Sequence, residues 1–299
     1  MPAPNKLTLL SAPVIALAVL AAPAASAETL IYVTSSTIGT VDSSAPAADN
    51  TVGNSGPLNY SLPSGFSAIG AKVSTDNQTL YLLASDGGVC QLFSVNTTGD
   101  SNANAALTEV NGSYSCSTQS GNGDLAFLNG SGGSSLDGYL VANGGDVLHV
   151  PVGGGTPASI AIGNPNGGVG NIEGVVDVGS SPNDSQYAVD ASTQELVQLN
   201  LNTGAETNIN SVPVTFSGST SLDYSAASGN FYLYTNGALY ADTLSGGASN
   251  VGFVPGGTLA VTVAGNVSVT NNGGGAFAPA LLLPLGVMAF LRRRRVRSA

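Results

Sequence analysis

Tryptophan is absent from this 299-residue chain, and Cys90, Cys116 and His149 are its whole supply of thiol and imidazole. Cationic side chains are almost as scarce. Between Glu28 and Leu291 the single base is Lys72, and no arginine occurs there. Each shortage removes a class of chemistry. One histidine and two thiols cannot make up a four-ligand nitrogen and sulfur set for zinc. Nucleic acid is excluded as a partner, because phosphate binding needs a basic face. Anionic lipid is disfavoured for this segment on the same ground. Without tryptophan, the largest aromatic platforms for sugar rings are missing too.

What is abundant is negative charge and small polar residues. All eighteen carboxylates fall in the stretch that holds Lys72, so eighteen against one gives it a formal charge of −17. A surface of that sign favours solubility in salt-rich or cation-rich surroundings.

The ends of the chain differ from its middle. Lys6 is followed by an apolar run from Leu7 to Pro23 and then by Ala25-Ser26-Ala27 ahead of Glu28. This is the order of a secretory signal, and it predicts cleavage between Ala27 and Glu28. At the other end, Asn271-Asn272-Gly273-Gly274-Gly275 leads into an apolar stretch from Ala276 to Leu291, closed by Arg292, Arg293, Arg294, Arg295 and Arg297. A helix of about 16 residues rises about 24 Å, only just enough for a hydrocarbon core of about 30 Å. The arginines would keep the terminus in the cytoplasm and leave the domain outside. The expected division is a signal peptide over 1–27, an exported domain over 28–264, a Gly/Asn linker over 265–275, a transmembrane helix over 276–291 and a basic tail over 292–299.

The glycine run, short helix and arginine cluster, in that order, resemble the GlyGly-CTERM sorting signals of Gram-negative bacteria. The resemblance covers about the last 29 residues. It implies that a rhombosortase-type intramembrane protease cuts near Gly273–Gly275 and releases or re-anchors the domain. The localisation it implies is the cell surface or the medium, with the inner membrane as a transient partner through the tail. An ordinary single-pass anchor is the alternative, whereas a eukaryotic lipid-anchor signal does not normally finish in five arginines.

Export makes oxidation the expectation for Cys90 and Cys116. A bridge between them closes a loop of about 25 residues, which contributes roughly 3 to 4 kcal/mol in the chain-entropy description.

No stretch of the interior shows the 3.6-residue apolar period of a helix, whereas short alternating runs bounded by Gly, Asn and Asp recur throughout. A tyrosine sits in five of these runs, at Tyr32, Tyr81, Tyr139, Tyr187 and Tyr232, spaced by 49, 58, 48 and 45 residues. A second strand follows each, in IGTV, CQLFSV, VLHVPV, ELVQLNL and ALYADT. In repeats two to five a glycine-bearing turn and another strand come next, and a further strand precedes the tyrosine, in SAIGAKVS, GDLAFLN, EGVVDVG and TSLDYSA. Four strands per unit of this length make a β-propeller blade. The first repeat lacks its leading strand, and GTLAVTVAG is left over at the end. Leu259 to Val263 is therefore expected to supply the missing inner strand and close an all-β ring of five blades. A parallel β-helix would need a shorter period, and a pair of β-sandwiches is the other rival. The repeats are similar to those of secreted bacterial propeller proteins reading "LYgl … Ly.id..tG". The third departs from that pattern, with Gly153-Gly154-Gly155 at the turn.

Chemistry-bearing residues are few. His149 lies alone in VLHVPV, and no Gly-x-Ser-x-Gly elbow exists to partner it. Glu173 and Asp177 stand four apart on the inner strand of blade four. A count of two puts them on one face about 13 Å apart, facing the channel. Such carboxylates are the candidate acid and base of a polysaccharide hydrolase or lyase, each with a partner from another blade, or ligands for Ca²⁺. Asp76, Asp137 and Asp184 precede tyrosine strands and Asp86, Asp146 and Asp190 follow them, positions where Asp serves turns; the first three are the candidate calcium ligands. No dense Asp-x-Asp-x-Asp-Gly loop accompanies them. Lys72 should turn away from Ile69, Ala71 and Val73, to be solvated or ion-paired, and the tyrosines should pack in the blade cores. The sequence supplies no cofactor site and no catalytic constellation. Three readings stay open: a binding or matrix protein acting on an extracellular ligand, a polysaccharide-cleaving enzyme, and a calcium-stabilised adhesin.

Overall fold

The computed structural model describes residues 28–44, 46, 58–73, 79–96, 104–110, 113–116, 123–129, 136–151, 156–163, 168–178 and 186–263. The expected signal peptide up to Ala27, the linker and tail with Gly273–Gly275 and Arg292–Arg295, and the loop residues Asp76 and Asp184 lie outside them. Every named element is a strand. In chain order they are β1 (Thr29–Val33), β2 (Thr37–Asp42), β3 (Leu58–Tyr60), β4 (Ser67–Val73), β5 (Thr79–Ser85), β6 (Val89–Asn96), β7 (Asn104–Ala105), β8 (Leu107–Glu109), β9 (Tyr114–Ser115), β10 (Leu125–Asn129) and β11 (Leu136–Asn143). They continue as β12 (Asp146–Pro151), β13 (Ala158–Ala161), β14 (Ile172–Asp177), β15 (Gln186–Asp190), β16 (Glu195–Asn200), β17 (Ala205–Ser211), β18 (Thr220–Ser225), β19 (Asn230–Thr235), β20 (Ala238–Thr243), β21 (Ser249–Phe253) and β22 (Ala260–Val263).

These strands form five antiparallel blades: β22-β1-β2-β3, β4-β5-β6-β8, β10-β11-β12-β13, β14-β15-β16-β17 and β18-β19-β20-β21. The chain is a five-bladed β-propeller. Its ring closes as the strand arithmetic requires, with Leu30 opposite Val263, Ile31 opposite Thr262, Tyr32 opposite Val261 and Val33 opposite Ala260. Leu259 N donates to Val33 O at 2.7 Å and extends the pairing by one bond. Each end of the domain thus covers the edge that the other would expose.

Small additions decorate the outer side of the first two blades. The segment NAALTEV serves two sheets: Asn104–Ala105 pairs in parallel with β3 of blade one, while Leu107–Glu109 completes blade two. The short β9 pairs with β6, and the bridge Cys90–Cys116, Cα to Cα 5.5 Å, fixes it there. Between β19 and β20 the turn is Asn236-Gly237, with φ of 53° and 77°. Both are positive, the combination a two-residue hairpin requires and an Asn-Gly pair accepts at least cost.

The apolar faces meet between blades, in five buried clusters, one per interface. Ile31, Leu58 and Leu82 belong to the cluster between blades one and two; Leu92, Leu125 and Tyr139 lie between two and three; Leu140, Val175 and Val197 lie between three and four. Val176, Leu196 and Phe231 fill the interface of four and five, and Leu30, Tyr234 and Leu239 that of five and one. A fully buried side chain of this kind contributes roughly 1.5 to 3 kcal/mol. The five repeat tyrosines all reach these clusters, Tyr81 and Tyr187 only partly buried but edge-on to Phe127 and Phe231 at 4.9 and 5.2 Å. They do not share one face. Tyr32 and Tyr139 turn to the preceding blade, whereas Tyr81, Tyr187 and Tyr232 turn to the following one.

Candidate functional site

The innermost strands β22, β4, β10, β14 and β18 surround the axis, where propellers commonly place their sites. Two aspartates and one lysine converge there. Asp223 on β18 forms a buried ion pair with Lys72 on β4. Its Oδ2 also accepts from Thr262 Oγ1 at 2.5 Å and Val263 N at 2.7 Å, both on β22. Asp124, at the entrance to β10, is 1% exposed, and its Oδ2 accepts from Val175 N on β14 and Leu222 N on β18, each at 2.9 Å. Thus Asp223 joins blades five, one and two, and Asp124 joins three, four and five. Ser221 adds a two-way link between blades five and one, donating to Val261 O at 3.1 Å and accepting from Val261 N at 2.8 Å.

The electrostatics follow from the burial. Desolvation pushes the Asp124 carboxyl up to about 7, against the Lys72 cation and the amides of Leu222, Val175 and Leu125, which hold it down. Lys72 is 9% exposed, so the expectation of a solvated lysine is corrected and that of an ion-paired one holds. Lys72 lies between Ala71 and Val73, which share a cluster it does not join, and only the expected grouping of Ile69 with them is corrected. The register of β4 against β5 slips between Ala68 and Gly70, so Ile69 joins the cluster of blades two and three while Ala71 and Val73 join that of one and two.

The same irregularity governs Glu173. β14 slips against β15 between Ile172 and Gly174. In consequence Ile172 and Val175, three residues apart, share one cluster, and the count of two that would align Glu173 with Asp177 is interrupted. The two carboxylates have separate partners: Asn171 Nδ2 donates to Glu173 Oε1 at 3.2 Å, and Gln186 Nε2 to Asp177 Oδ1 at 3.3 Å. Burial raises the Glu173 carboxyl above its usual range. Gly70 and Gly174 follow the two slips, and both are tightly enclosed: a Cβ on Gly70 would lie 2.1 Å from Gly123 O, and one on Gly174 2.9 Å from Leu222 Cβ.

The remaining candidates are dispersed. His149, on β12, faces Leu140 and Ala158 across the sheet, and its Nε2 is buried without a hydrogen-bond partner. Asp137 lies in β11. Asp86 caps its turn, Oδ1 accepting from Gly88 N at 2.9 Å and Val89 N at 2.7 Å, and these bonds lower its carboxyl. Asp146 accepts from Asn143 Nδ2 and Ser159 Oγ. The turn role expected of both is what the structure gives them. Among the described residues no group of three or more His, Cys, Asp or Glu is placed to hold a metal ion.

No protein-family model matches the chain, and no curated protein matches it. It is similar in structure to a chain of a nidogen/laminin complex, at 10% identity and a TM-score of 0.46, over 73% of this chain and 74% of that one. It is also similar to a Bacteroides caccae protein of unknown function, at 12% identity and TM-score 0.45 over 79% and 98% of the two chains. A functionally unknown protein from Desulfotomaculum acetoxidans gives 10%, 0.41, 79% and 88% in the same order. Similarity at this level carries no functional argument, and the fold rests on the strand pairing itself.

Three acidic groups gained importance only in three dimensions. Asp124 directly precedes an apolar strand, in GDLAFL, and Asp223 interrupts one, in TSLDYS, which was the available signal. Glu28, the residue after the expected cleavage point, is held at blade five: Ser225 Oγ and Tyr232 OH each donate to its carboxylate at 2.5 Å and Ser228 Oγ at 3.1 Å.

Proposed function

We propose that this propeller is an exported protein of the bacterial envelope that acts by binding, as a surface or matrix component, and that its axis is structural. The observation that carries the proposal is the use of the axial charges. Lys72 and Asp223 are committed to each other, and the two aspartates to amides of blades one, three, four and five, which leaves recognition to the exposed loops and outer strands. The Ala27–Glu28 cleavage pattern and the GlyGly-CTERM-like tail support export, sorting by a membrane protease and display. So does the position of Glu28, the first residue of the ring, in a socket of three hydroxyls.

The test has two parts. Protease treatment of intact cells should remove an epitope placed within the domain, and chains with Gly273–Gly275 replaced by Ala should accumulate in the inner membrane. Purified protein should turn over no member of a broad glycan panel. A second reading, polysaccharide cleavage, is favoured by one feature, the raised carboxyl of half-buried Glu173, which suits a proton donor. Turnover that Glu173→Gln abolishes would replace the binding reading with it.

A further inference from the structure

A second buried acidic group lies off the axis, at the corner of blade four, and among the described residues no ion pair reaches it. Asp190 ends β15 and is fully buried; its Oδ1 accepts from Asn171 N at 2.9 Å, Ser192 N at 2.8 Å and Ser192 Oγ at 2.7 Å. Glu206, on β17, is 7% exposed, and among the described residues neither of its carboxylate oxygens meets a hydrogen-bond donor. Burial, with the nearby acidic groups Asp190 and Glu195, pushes its carboxyl up to about 7. Glu195 Oε2 and, in the β15–β16 turn, Thr193 Oγ1 are likewise buried and without a partner. The Gly170 segment touches both carboxylates: a Cβ on Gly170 would stand 2.5 Å from Glu206 Oε1 and displace it, and the next amide, Asn171 N, donates to Asp190 Oδ1.

Two enclosed carboxylates cannot both stay ionised side by side without a counter-charge. Among the described residues the one cationic side chain, Lys72, is bound to Asp223 on the axis. We propose that the Asp190 and Glu206 carboxylates bind a divalent cation of the calcium type at this corner, bridging β15 and β17 beside the Gly170 segment. The chemistry selects the ion: every orphaned atom is a hard oxygen, and calcium tolerates an irregular set completed by water, whereas magnesium demands a near-ideal octahedron. With two carboxylates and the remaining positions left to water, affinity belongs in the range of extracellular modules, roughly 10⁻⁴ to 10⁻³ M.

The test uses the full chain, stripped with chelator and titrated with calcium chloride at pH 7.5, followed by calorimetry and thermal unfolding. One-site binding is expected, with a rise in Tm of about 5 °C at saturating calcium and a smaller one with magnesium. Glu206→Gln should melt higher than the stripped parent, because its amide can donate to Asp190, and should lose the calcium response. Gly170→Ala, which crowds Glu206 Oε1, gives an independent check and should weaken binding at least tenfold. Absence of a calcium response in the parent overturns the proposal and leaves a proton shared between the carboxyls. A response that persists undiminished in both variants overturns it as well, and assigns the ion to the diffuse negative surface.

Discussion

The axis and the corner of blade four both bury carboxylates, and they handle the charge in opposite ways. On the axis Asp223 has Lys72, Thr262 Oγ1 and Val263 N around one carboxylate. At the corner Glu206 has Asp190 and Glu195, and no donor. Burial alone therefore says little about whether an acidic group holds a propeller together. What decides is whether a cation or an amide is buried with it, since desolvation of an unpartnered carboxylate costs several kcal/mol. One lysine serves the whole domain, and the fold places it where blades five, one and two meet.

Removing the strand that completes the axial cluster should have the largest effect. A chain ending at Gly257 loses β22, with Thr262 and the closing pairs to β1, and should no longer unfold as one cooperative unit; a chain ending at Asn271 should melt like the parent. Lys72→Met comes next. It leaves Asp223 buried without its cation and should cost about 3 to 5 kcal/mol in urea unfolding.

The pH dependence of stability sharpens the contrast between the two regions. Asp124 and Glu206 rise to about 7 and Asp242 to about 6, all above their unfolded values. Each therefore holds a proton more tightly when folded, and that stabilisation is lost as pH climbs through 6 to 7. Tm should fall between pH 5 and pH 8. Lys72→Met, which removes the cation that lowers Asp124, should move the axial part of this loss to higher pH, and Glu206→Gln should remove the corner part. The smallest effect is expected at exposed Asp86, where Asp86→Ala loses two bonds in a solvent-facing turn and should lower Tm less than any other destabilising change named here.

The blades were legible because alternation and turn residues act over a few residues. The tyrosine runs became β1, β5, β11, β15 and β19, the leftover alternation became β22, and the two cysteines joined. Features set by contacts between blades were not legible. The slips at Ile69 and Glu173 accompany the close approach of Gly70 and Gly174 to neighbouring blades, and they move side chains to faces that a count of two does not give. Asn104–Ala105 crossing to blade one is a similar case. Lys72 was identifiable as a residue needing a carboxylate, but its partner lies 151 positions away, and eighteen carboxylates offered themselves equally. The corner site was hidden because Asp190 is also a good turn residue, and the approach of Glu206 depends on the Gly170 segment between blades three and four.

The central claim is that Asp223 stabilises the ring only because Lys72 lies against it, and a double-mutant cycle tests it most directly. Urea unfolding of the parent, Lys72→Met, Asp223→Leu and the double variant gives the coupling energy between the two positions. The account predicts that each single change costs about 3 kcal/mol or more and that the double variant recovers at least about 2 kcal/mol relative to their sum. Additive losses would contradict it, and would show that the axial charges do not hold the blades together through their pairing.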